Sequence, residues 1–260
     1  MRFADRIVWI TGASSGIGEA LAVAFSREGA TVVLSARSVQ ELERVRSTCE
    51  GNEKHAVVPL DLADRDAIDR SAKDVLARFG RVDVLVHSGG ISQRGLAAET
   101  PVEIDRRIMD VNYFGTIALT KAVLPSMIAR KSGHIVPISS VIGYVGVPGR
   151  SAYSASKHAL HGFFDALRAE NAKHGIRVTI VCPGYVRTKV SESAITSDGS
   201  AYGKTDPTHA NAMRPEVAAK KIVDGIAKAK HEVRVGGKEI YAILLQRFLP
   251  RLVARVTRMK

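Results

Sequence analysis

The sequence predicts a doubly wound α/β fold, in which helices cover both faces of a parallel sheet of about seven strands. Apolar runs of strand length alternate along the chain with longer segments of helical period. The runs are nearly continuous in Val, Ile and Leu, as expected for strands that are buried on both faces. Strict alternation of strand and helix gives right-handed crossovers, and such crossovers build a parallel sheet.

Each expected strand is followed by a helix, in the order that this fold requires. The strands are expected at Arg6–Thr11, Thr31–Ser35, Ala56–Leu60, Val82–His87, His134–Ser139, Arg177–Cys182 and, as a short one, near Glu232–Val235. The helices are expected at Ile17–Glu28, Val39–Cys49, Asp64–Phe79, Pro101–Arg130, Ser151–His174 and near Pro215–Lys230. No Pro-, Gly- or Ser-rich linker interrupts the pattern, so residues 1–235 are predicted to form one domain and residues 236–260 a basic amphipathic extension.

Composition excludes several classes of protein. With 45% hydrophobic and 25% charged residues, the 260-residue chain is expected to be globular rather than disordered. Cys49 and Cys182 are the only cysteines, which excludes a disulfide framework and favours a reducing compartment, hence the cytoplasm. We expect neither a signal peptide nor a spanning helix, because no apolar run has the required length.

The net charge of +12 raises the question of a nucleic-acid partner. The excess is concentrated in residues 236–260, which carry six basic residues and one acidic residue. The rest of the chain lacks lysine-rich runs with interleaved aromatic residues, and aromatic residues make up 5% of the sequence. A nucleic-acid partner is therefore not expected.

A glycine-rich turn, TGASSGIG at Thr11–Gly18, directly follows the first strand and opens the first helix. Its three glycines permit a sharp turn, close approach of backbone amides to a pyrophosphate, and close packing of helix on strand. Such a turn can also be a tight connection without a ligand, but its place between strand and helix favours a dinucleotide site. The contacts predicted within it are Gly12, Ser14, Ser15, Gly16, Ile17 and Gly18.

Further motifs follow in a fixed order along the chain. They are HSGG (His87–Gly90) after the fourth strand, Asn112 in the long helix, ISS (Ile138–Ser140), YSASK (Tyr153–Lys157) and PGYVRT (Pro183–Thr188). With the glycine turn, they resemble the short-chain dehydrogenase/reductase family, in its short single-domain branch, over about residues 5–235. The resemblance implies a Rossmann fold, a homodimer or homotetramer, and hydride transfer between a nicotinamide and an alcohol or carbonyl.

The HSGG segment departs from the NNAG that the family usually has at this position. The two asparagines are mostly structural there and brace the end of the strand beside the cofactor. His87 and Ser88 retain hydrogen-bonding capacity, and Gly89 and Gly90 leave room for the adenosine ribose. We therefore expect the cofactor site to be kept, with Gly89 among its contacts.

Tyr153 and Lys157 are four residues apart, so their side chains lie on one face of one helix. A neighbouring ammonium lowers the pKa of a phenol, and Tyr153 is then a general acid for reduction or a general base for oxidation. An isolated pair of this kind is more often a tyrosine packed on a lysine stem. The glycine turn and Ser140 favour the catalytic interpretation.

Ser140 and Asn112 complete the predicted catalytic set. The Ser140 hydroxyl would bind the substrate oxygen at the carboxyl end of a strand, and the family interval of 13 positions to Tyr153 favours it over Ser139. The resemblance makes Asn112 the residue that holds a water linking Lys157 to solvent. A turn cap for Ser140 and a plain backbone contact for Asn112 are the structural alternatives.

The end of the second strand predicts the form of the cofactor. Ala36 stands where an acidic residue would bind the ribose 2′-hydroxyl, and Arg37 follows it, so NADP (NADPH) is favoured over NAD. By the resemblance, Asp61 and Leu62 contact the adenine, and Thr188 bonds the nicotinamide carboxamide. The other contacts that the resemblance implies are Gly89, Tyr153, Lys157, Pro183, Gly184 and Val186.

The loop at 185–214 and the C-terminal tail are the least family-like segments. The loop is long and polar, and in the family this segment covers the substrate. The tail alternates arginines with an apolar stripe, and Pro250 would bend or restart its helix. Such a stripe fits an interfacial membrane helix, but a helix docked on its own core or on a partner subunit is the somewhat favoured alternative. Its apolar members are Leu244, Leu245, Phe248, Leu249, Leu252, Val253 and Val256.

The sequence thus predicts an NADPH-dependent oxidoreductase that reduces a ketone or aldehyde, with Tyr153 as general acid. The tail resembles extensions of reductases in this family that act on lipid-like carbonyls at membranes, so a lipidic or steroid-like substrate and peripheral membrane contact are expected. The alternatives are a non-catalytic NADP-binding sensor or scaffold, and an NAD-dependent alcohol dehydrogenase. His158, His161 and His174 lack the spacing of metal ligands, so no metal is expected.

Overall fold

The computed structural model describes residues 1–204 and 212–258, so 205–211 of the predicted loop and Lys260 of the tail lie outside the described residues. The strands are β1 (Ile7–Thr11), β2 (Thr31–Ser35), β3 (Ala56–Val57), β4 (Val84–His87), β5 (Gln93–Arg94), β6 (Gly133–Pro137), β7 (Ile176–Val178), β8 (Ile180–Pro183), β9 (Ile195–Thr196) and β10 (Glu232–Val235). The helices are α1 (Gly16–Arg27), α2 (Val39–Thr48), α3 (Arg65–Phe79), α4 (Val102–Met109), α5 (Thr116–Ala129), α6 (Ser151–Asn171), α7 (Pro215–Ala227), α8 (Ala242–Phe248) and α9 (Pro250–Val256).

Six parallel strands form the central sheet in the order β3-β2-β1-β4-β6-β7, which confirms the predicted doubly wound α/β fold. Consecutive side chains of a strand point to opposite faces. In β1, Val8 and Ile10 therefore join the core beneath α1 and α7, whereas Trp9 joins the core beneath α3, α5 and α6. Both faces are covered, as the continuous apolar strands predict.

The strand expected at Arg177–Cys182 is divided in two because its residues change partners. β7 pairs with β6 in the central sheet, whereas β8 pairs with β10 in a separate two-stranded sheet. Thr179 lies at the change: its amide donates to the Ile135 carbonyl (3.0 Å) and its hydroxyl to the Lys230 carbonyl (2.5 Å). The apolar pattern continues through this point and gives no sign of the exchange.

The single helix expected at Pro101–Arg130 contains a π-helical turn, Asp110–Gly115, between α4 and α5. A Cβ added at Gly115 would lie 2.1 Å from the Leu62 carbonyl oxygen, so the turn packs directly on the segment after β3. π-turns are frequent at functional sites, and Asn112 lies within this one.

The tail forms two short helices, α8 and α9. Pro250 restarts the helix as the first residue of α9, a position where its missing N–H costs nothing. Ile243 and Val253 are buried, and Ile243 joins the core that contains α6. Across residues 1–204 and 212–258, no helix combines the length and the apolar character that crossing a membrane requires.

Candidate active site

The candidate site lies between β1 and β4, where the crossovers change from one face of the sheet to the other. The carboxyl ends of two such strands open into a crevice, which is where sheets of this kind bind ligands. A cavity of about 1210 Å³ occupies it. Most predicted site residues line this cavity: Gly12, Ser14, Ser15, Gly16, Ile17, Arg37, Asp61, Leu62, Gly89, Ser140, Tyr153, Lys157, Pro183, Gly184, Val186 and Thr188. Gly18 and Asn112 do not line it.

The glycine turn brings the end of β1 against the end of β4. Gly12 has a φ of +66°, and a Cβ there would lie 2.6 Å from the Gly89 nitrogen. Gly16 has a φ of +58°, and its Cβ would lie 2.8 Å from the Thr188 methyl carbon. A Cβ at Gly18 would lie 2.1 Å from the Gly12 carbonyl oxygen, away from the cavity. Gly12 and Gly16 therefore shape the cavity, whereas Gly18 holds the helix close to the strand.

The N-terminus of α1 adjoins the cavity and fits an anion. Ser15 is the N-cap of this helix, and its side chain makes no capping hydrogen bond. The first backbone N–H groups of a helix have no acceptor within the helix, and the helix dipole adds partial positive charge there. Together with the glycine backbone, this end is suited to the pyrophosphate of a dinucleotide.

The ends of β2 and β3 form the wall expected to hold the adenosine. Ala36 and Arg37 line the cavity, so this wall carries a cationic side chain where an acid would exclude a 2′-phosphate. The adjacent Ser38 caps α2. Asp61 also lines the cavity, and its side chain accepts a hydrogen bond from the Ala63 amide (2.9 Å), which shapes the turn after β3.

Helix α6 carries the Tyr153–Lys157 pair into the cavity on its first turns. The Lys157 Nζ lies 5.6 Å from the centroid of the Tyr153 ring and donates to the Ile138 carbonyl (2.9 Å). Gln93 fixes the start of the helix, because its carboxamide oxygen accepts from the Ala152 amide (2.8 Å). Sequence analysis missed Gln93, since its partner is 59 residues away.

The protonation of this pair differs from the sequence expectation. We expected Lys157 to lower the pKa of Tyr153, but burial raises that pKa. Burial also lowers the pKa of Lys157 to about 8. Loss of water penalises the charged form of each group, and the ammonium donates to a backbone carbonyl beside the ring. At neutral pH the Tyr153 phenol therefore keeps its proton.

The two adjacent serines after β6 have different surroundings. The Ser140 hydroxyl donates to the Pro183 carbonyl (3.3 Å) and accepts from the backbone amide two residues on (3.2 Å), so it also caps a short 3₁₀ turn. The Ser139 hydroxyl donates to the Lys157 carbonyl (3.1 Å) and lies 2.8 Å from the His161 Nε2. Both hydroxyls thus have partners and both serines line the cavity, so the choice of Ser140 for the substrate stays a prediction.

Asn112 ties the π-turn to the loop after β4. Its Oδ1 accepts from the Ile91 amide (2.8 Å), and its Nδ2 donates to the Ile91 carbonyl (2.9 Å) and to the Ser156 hydroxyl (3.0 Å). The structural alternative, a backbone contact, is therefore present. A Cβ at Gly90 would lie 3.0 Å from the Asn112 Oδ1 and 3.6 Å from the Lys157 Nζ, so the two side chains border one glycine. The water relay stays a prediction.

The HSGG segment performs the bracing that the sequence indicated. The buried His87 lies with its Nε2 2.8 Å from the Thr120 hydroxyl and so ties β4 to α5. Burial lowers the pKa of His87 to about 3, which keeps the ring neutral. Ser88 lines the cavity, and the Gly89 amide donates to the Thr11 hydroxyl (3.2 Å).

Glu239 is a site residue that the motifs did not reveal. Its Oε1 accepts from the amides of Tyr185 (2.8 Å) and Gly237 (2.9 Å), and its side chain lines the cavity. A Cβ at Gly184 would lie 2.1 Å from the same oxygen. Glu239 therefore holds the loop that carries Thr188. It lies 54 residues from Tyr185, so no local pattern marks it.

The two cysteines are part of the protein core. Cys49 and Cys182 are buried free thiols, and burial raises the pKa of Cys182, which keeps it protonated. Outside the stretches 205–211 and 259–260, no cluster of three or more His, Cys, Asp or Glu side chains is placed to hold a metal ion.

Comparison with known proteins identifies the family. A sequence profile described as short chain dehydrogenase matches residues 6–198. A dehydrogenase/reductase SDR family protein 7-like protein of Anopheles gambiae is 51% identical over 236 residues, which cover 88% of this chain and 74% of that protein. The chain belongs to the short-chain dehydrogenase/reductase family and is an oxidoreductase of that family.

Solved structures agree with this membership. A short-chain dehydrogenase from Streptomyces avermitilis has a TM-score of 0.84 to this chain at 32% identity, and the match covers 98% of this chain and 100% of that one. The closed form of a serine dehydrogenase in complex with NADP⁺ has a TM-score of 0.80 at 28% identity, over 89% and 94% of the two chains.

The buried ammonium of Lys157 leads to a prediction about stability. Its pKa is about 8 in the folded protein against an ordinary value of 10.5, so between these values the unfolded chain binds the proton and the folded protein does not. The free energy of unfolding therefore gains about 2 kcal/mol from this group between pH 8 and pH 10. Urea unfolding at both pH values should show this gain in the wild type and lose it in Lys157→Met. The exposed-site control Lys73→Met should keep it, and an unchanged gain in Lys157→Met would contradict the assignment.

Proposed function

We propose that the protein is an NADPH-dependent reductase that converts a ketone or aldehyde into an alcohol, with Tyr153 as the general acid. The observation that carries this proposal is one cavity that contains the glycine turn, Arg37, Ser140, Tyr153 and Lys157. When bound, NADPH supplies the hydride; the chain supplies the cradle, the proton and the group that holds the substrate oxygen.

The protonation state of Tyr153 supports the reductive direction. A phenol whose pKa is raised by burial carries its proton at neutral pH and donates it to the oxygen of a carbonyl as hydride arrives at the carbon. Ser140, at the cavity wall, would hold that oxygen. Lys157 would return a proton to Tyr153 from a water held by Asn112, since both side chains border Gly90.

NADPH rather than NADH is supported by the wall at the end of β2. Ala36 has no carboxylate to repel a 2′-phosphate, and the guanidinium of Arg37 would attract one. The similar serine dehydrogenase was solved with NADP⁺, which agrees with this choice. The substrate end has apolar walls that include Ile142, Val145 and Val147, which suits a lipidic or steroid-like carbonyl.

Two further candidates share the same site. A non-catalytic NADP-binding sensor or scaffold would use the cradle without the chemistry, but the complete set of Ser140, Tyr153 and Lys157 favours an enzyme. An alcohol dehydrogenase working with NAD in the oxidative direction would need a carboxylate at the end of β2, where Ala36 stands.

Tyr153→Phe should lower the turnover of carbonyl substrates by about 10²–10⁴-fold, because it removes the proton donor and leaves the cavity intact. The Kd for NADPH should stay within a few-fold of the wild type, measured by fluorescence titration. Tyr185→Phe changes another phenol at the same cavity and serves as the matched control, with turnover kept. Full turnover in Tyr153→Phe would refute the mechanism, and a wild type that binds NADPH but reduces no ketone or aldehyde would support the sensor.

Ala36→Asp should raise the Kd for NADPH by about tenfold or more and lower the Kd for NADH, since the new carboxylate would repel the 2′-phosphate of NADPH and accept a hydrogen bond from the ribose 2′-hydroxyl of NADH. Ala77→Asp adds the same charge at an exposed position of α3 and should change neither constant. A wild type that binds NADH more tightly than NADPH would instead favour the NAD-dependent dehydrogenase.

We also propose a homodimer or homotetramer that pairs the outer faces of α5 and α6. Ala155, Gly162 and Ala166 form an exposed stripe of small residues along α6, and Phe114, 52% exposed, precedes α5. A two-fold axis would pair such faces with their own copies.

Light scattering should give a multiple of the 28.0 kDa chain mass, and Ala166→Arg should shift it toward the monomer. Ala77→Arg, exposed on α3, is the control that should keep the wild-type mass. A wild type that is monomeric at micromolar concentration would rule out this assembly.

A further inference from the structure

The outer side of the tail is the most apolar exposed surface of the described protein. Fifteen large hydrophobic side chains are exposed in the described residues, and seven of them lie between 241 and 256. Phe248 is 73% exposed and Val256 75%. We call these seven the tail surface: Tyr241, Leu244, Leu245, Phe248, Leu249, Leu252 and Val256. Soluble proteins seldom leave such a cluster open unless it meets a partner.

In α8 the tail surface and the docked side are opposite faces of the helix, whereas in α9 the exposed apolar residues flank the buried one. Tyr241, Leu244, Leu245 and Phe248 follow helical spacing and face away from Ile243, which is buried in the core. In α9 the buried residue is Val253, with Leu252 and Val256 exposed. Ile243 and Val253 are thus already used for docking, and the seven side chains of the tail surface remain open.

The charges of the tail are all of one sign around this surface. After Glu239 the sequence contains no acidic residue, and its arginines at 247, 251, 255 and 258 are all exposed. A second copy of the chain docked here would bring these arginines against their own copies without a carboxylate in the tail to pair them. A lipid bilayer with anionic headgroups, in contrast, offers an apolar interior to the apolar side chains and negative charge to the arginines.

We propose that the tail surface binds anionic phospholipid bilayers, with the seven apolar side chains at the level of the headgroups and the arginines on lipid phosphates. Ala242 and Thr257, from the two tail helices, line the same cavity as Tyr153. Binding therefore places that cavity beside the lipid phase, a consequence that rests on the proposed reductase function. The lipid binding itself does not rest on it.

Sedimentation of the full chain with vesicles tests the proposal without any use of activity. The protein should pellet with vesicles of phosphatidylcholine and phosphatidylglycerol at low salt, pellet much less with phosphatidylcholine alone, and be released as salt screens the charges. Arg251→Gln with Arg255→Gln should lower partitioning by about thirty-fold. Lys73→Gln with Lys221→Gln removes the same charge from exposed helix positions elsewhere and should lower it only slightly.

Phe248→Ser tests the apolar half of the proposal, and it should lower partitioning by about tenfold or more. Val39→Ser, another exposed apolar position (48%), is its control and should bind as the wild type does. The proposal is overturned if the wild type does not pellet with anionic vesicles at low salt. If the arginine variant loses binding while Phe248→Ser binds as the wild type does, the proposal is also overturned, and an acidic macromolecule is indicated as the partner. A lower mass of Phe248→Ser in light scattering, with vesicle binding unchanged, would assign the surface to a second copy.

Discussion

The crevice between β1 and β4 is the constraint on which the whole site depends. Neighbouring strands whose crossovers leave to opposite faces cannot be bridged by a helix at their carboxyl ends, so a space opens there. The backbones on its two sides nonetheless meet, since a Cβ at Gly12 would lie 2.6 Å from the Gly89 nitrogen. This contact sets the floor of the cavity. The N-terminus of α1 and the loop of Thr188 are then placed around it.

Above this floor, the Tyr153–Lys157 pair is held by backbone groups rather than by other ionised side chains. Lys157 bonds to the carbonyl of Ile138, and Asn112 clamps both backbone groups of Ile91 from the π-turn. A buried carbonyl supports an ammonium through a hydrogen bond. No neighbouring charge is needed, so the interaction does not depend on ionic strength as an ion pair does. The pair is therefore set mainly by burial, and burial gives a protonated phenol beside a weakened ammonium.

The tail joins the sheet and its cavity to a separate exposed surface. Glu239 joins the root of the tail to the backbone of Tyr185, and Ala242 and Thr257 reach the cavity wall. The inner face of the tail is part of the core, whereas its outer face carries apolar and cationic side chains together. One segment thus contributes both to the shape of the cavity and to the surface beside it.

The sequence alone determined the order of strands and helices, the parallel sheet, the glycine turn and the spacing of Ser140, Tyr153 and Lys157. These depend on local periodicity and on short intervals, which a chain displays directly. Only the tertiary structure decided the exchange of partners at Thr179, the roles of Gln93 and Glu239, and the raised pKa of Tyr153. Each of these comes from groups that are distant in sequence, or from the loss of water around a buried side chain, and neither leaves a mark in the local pattern.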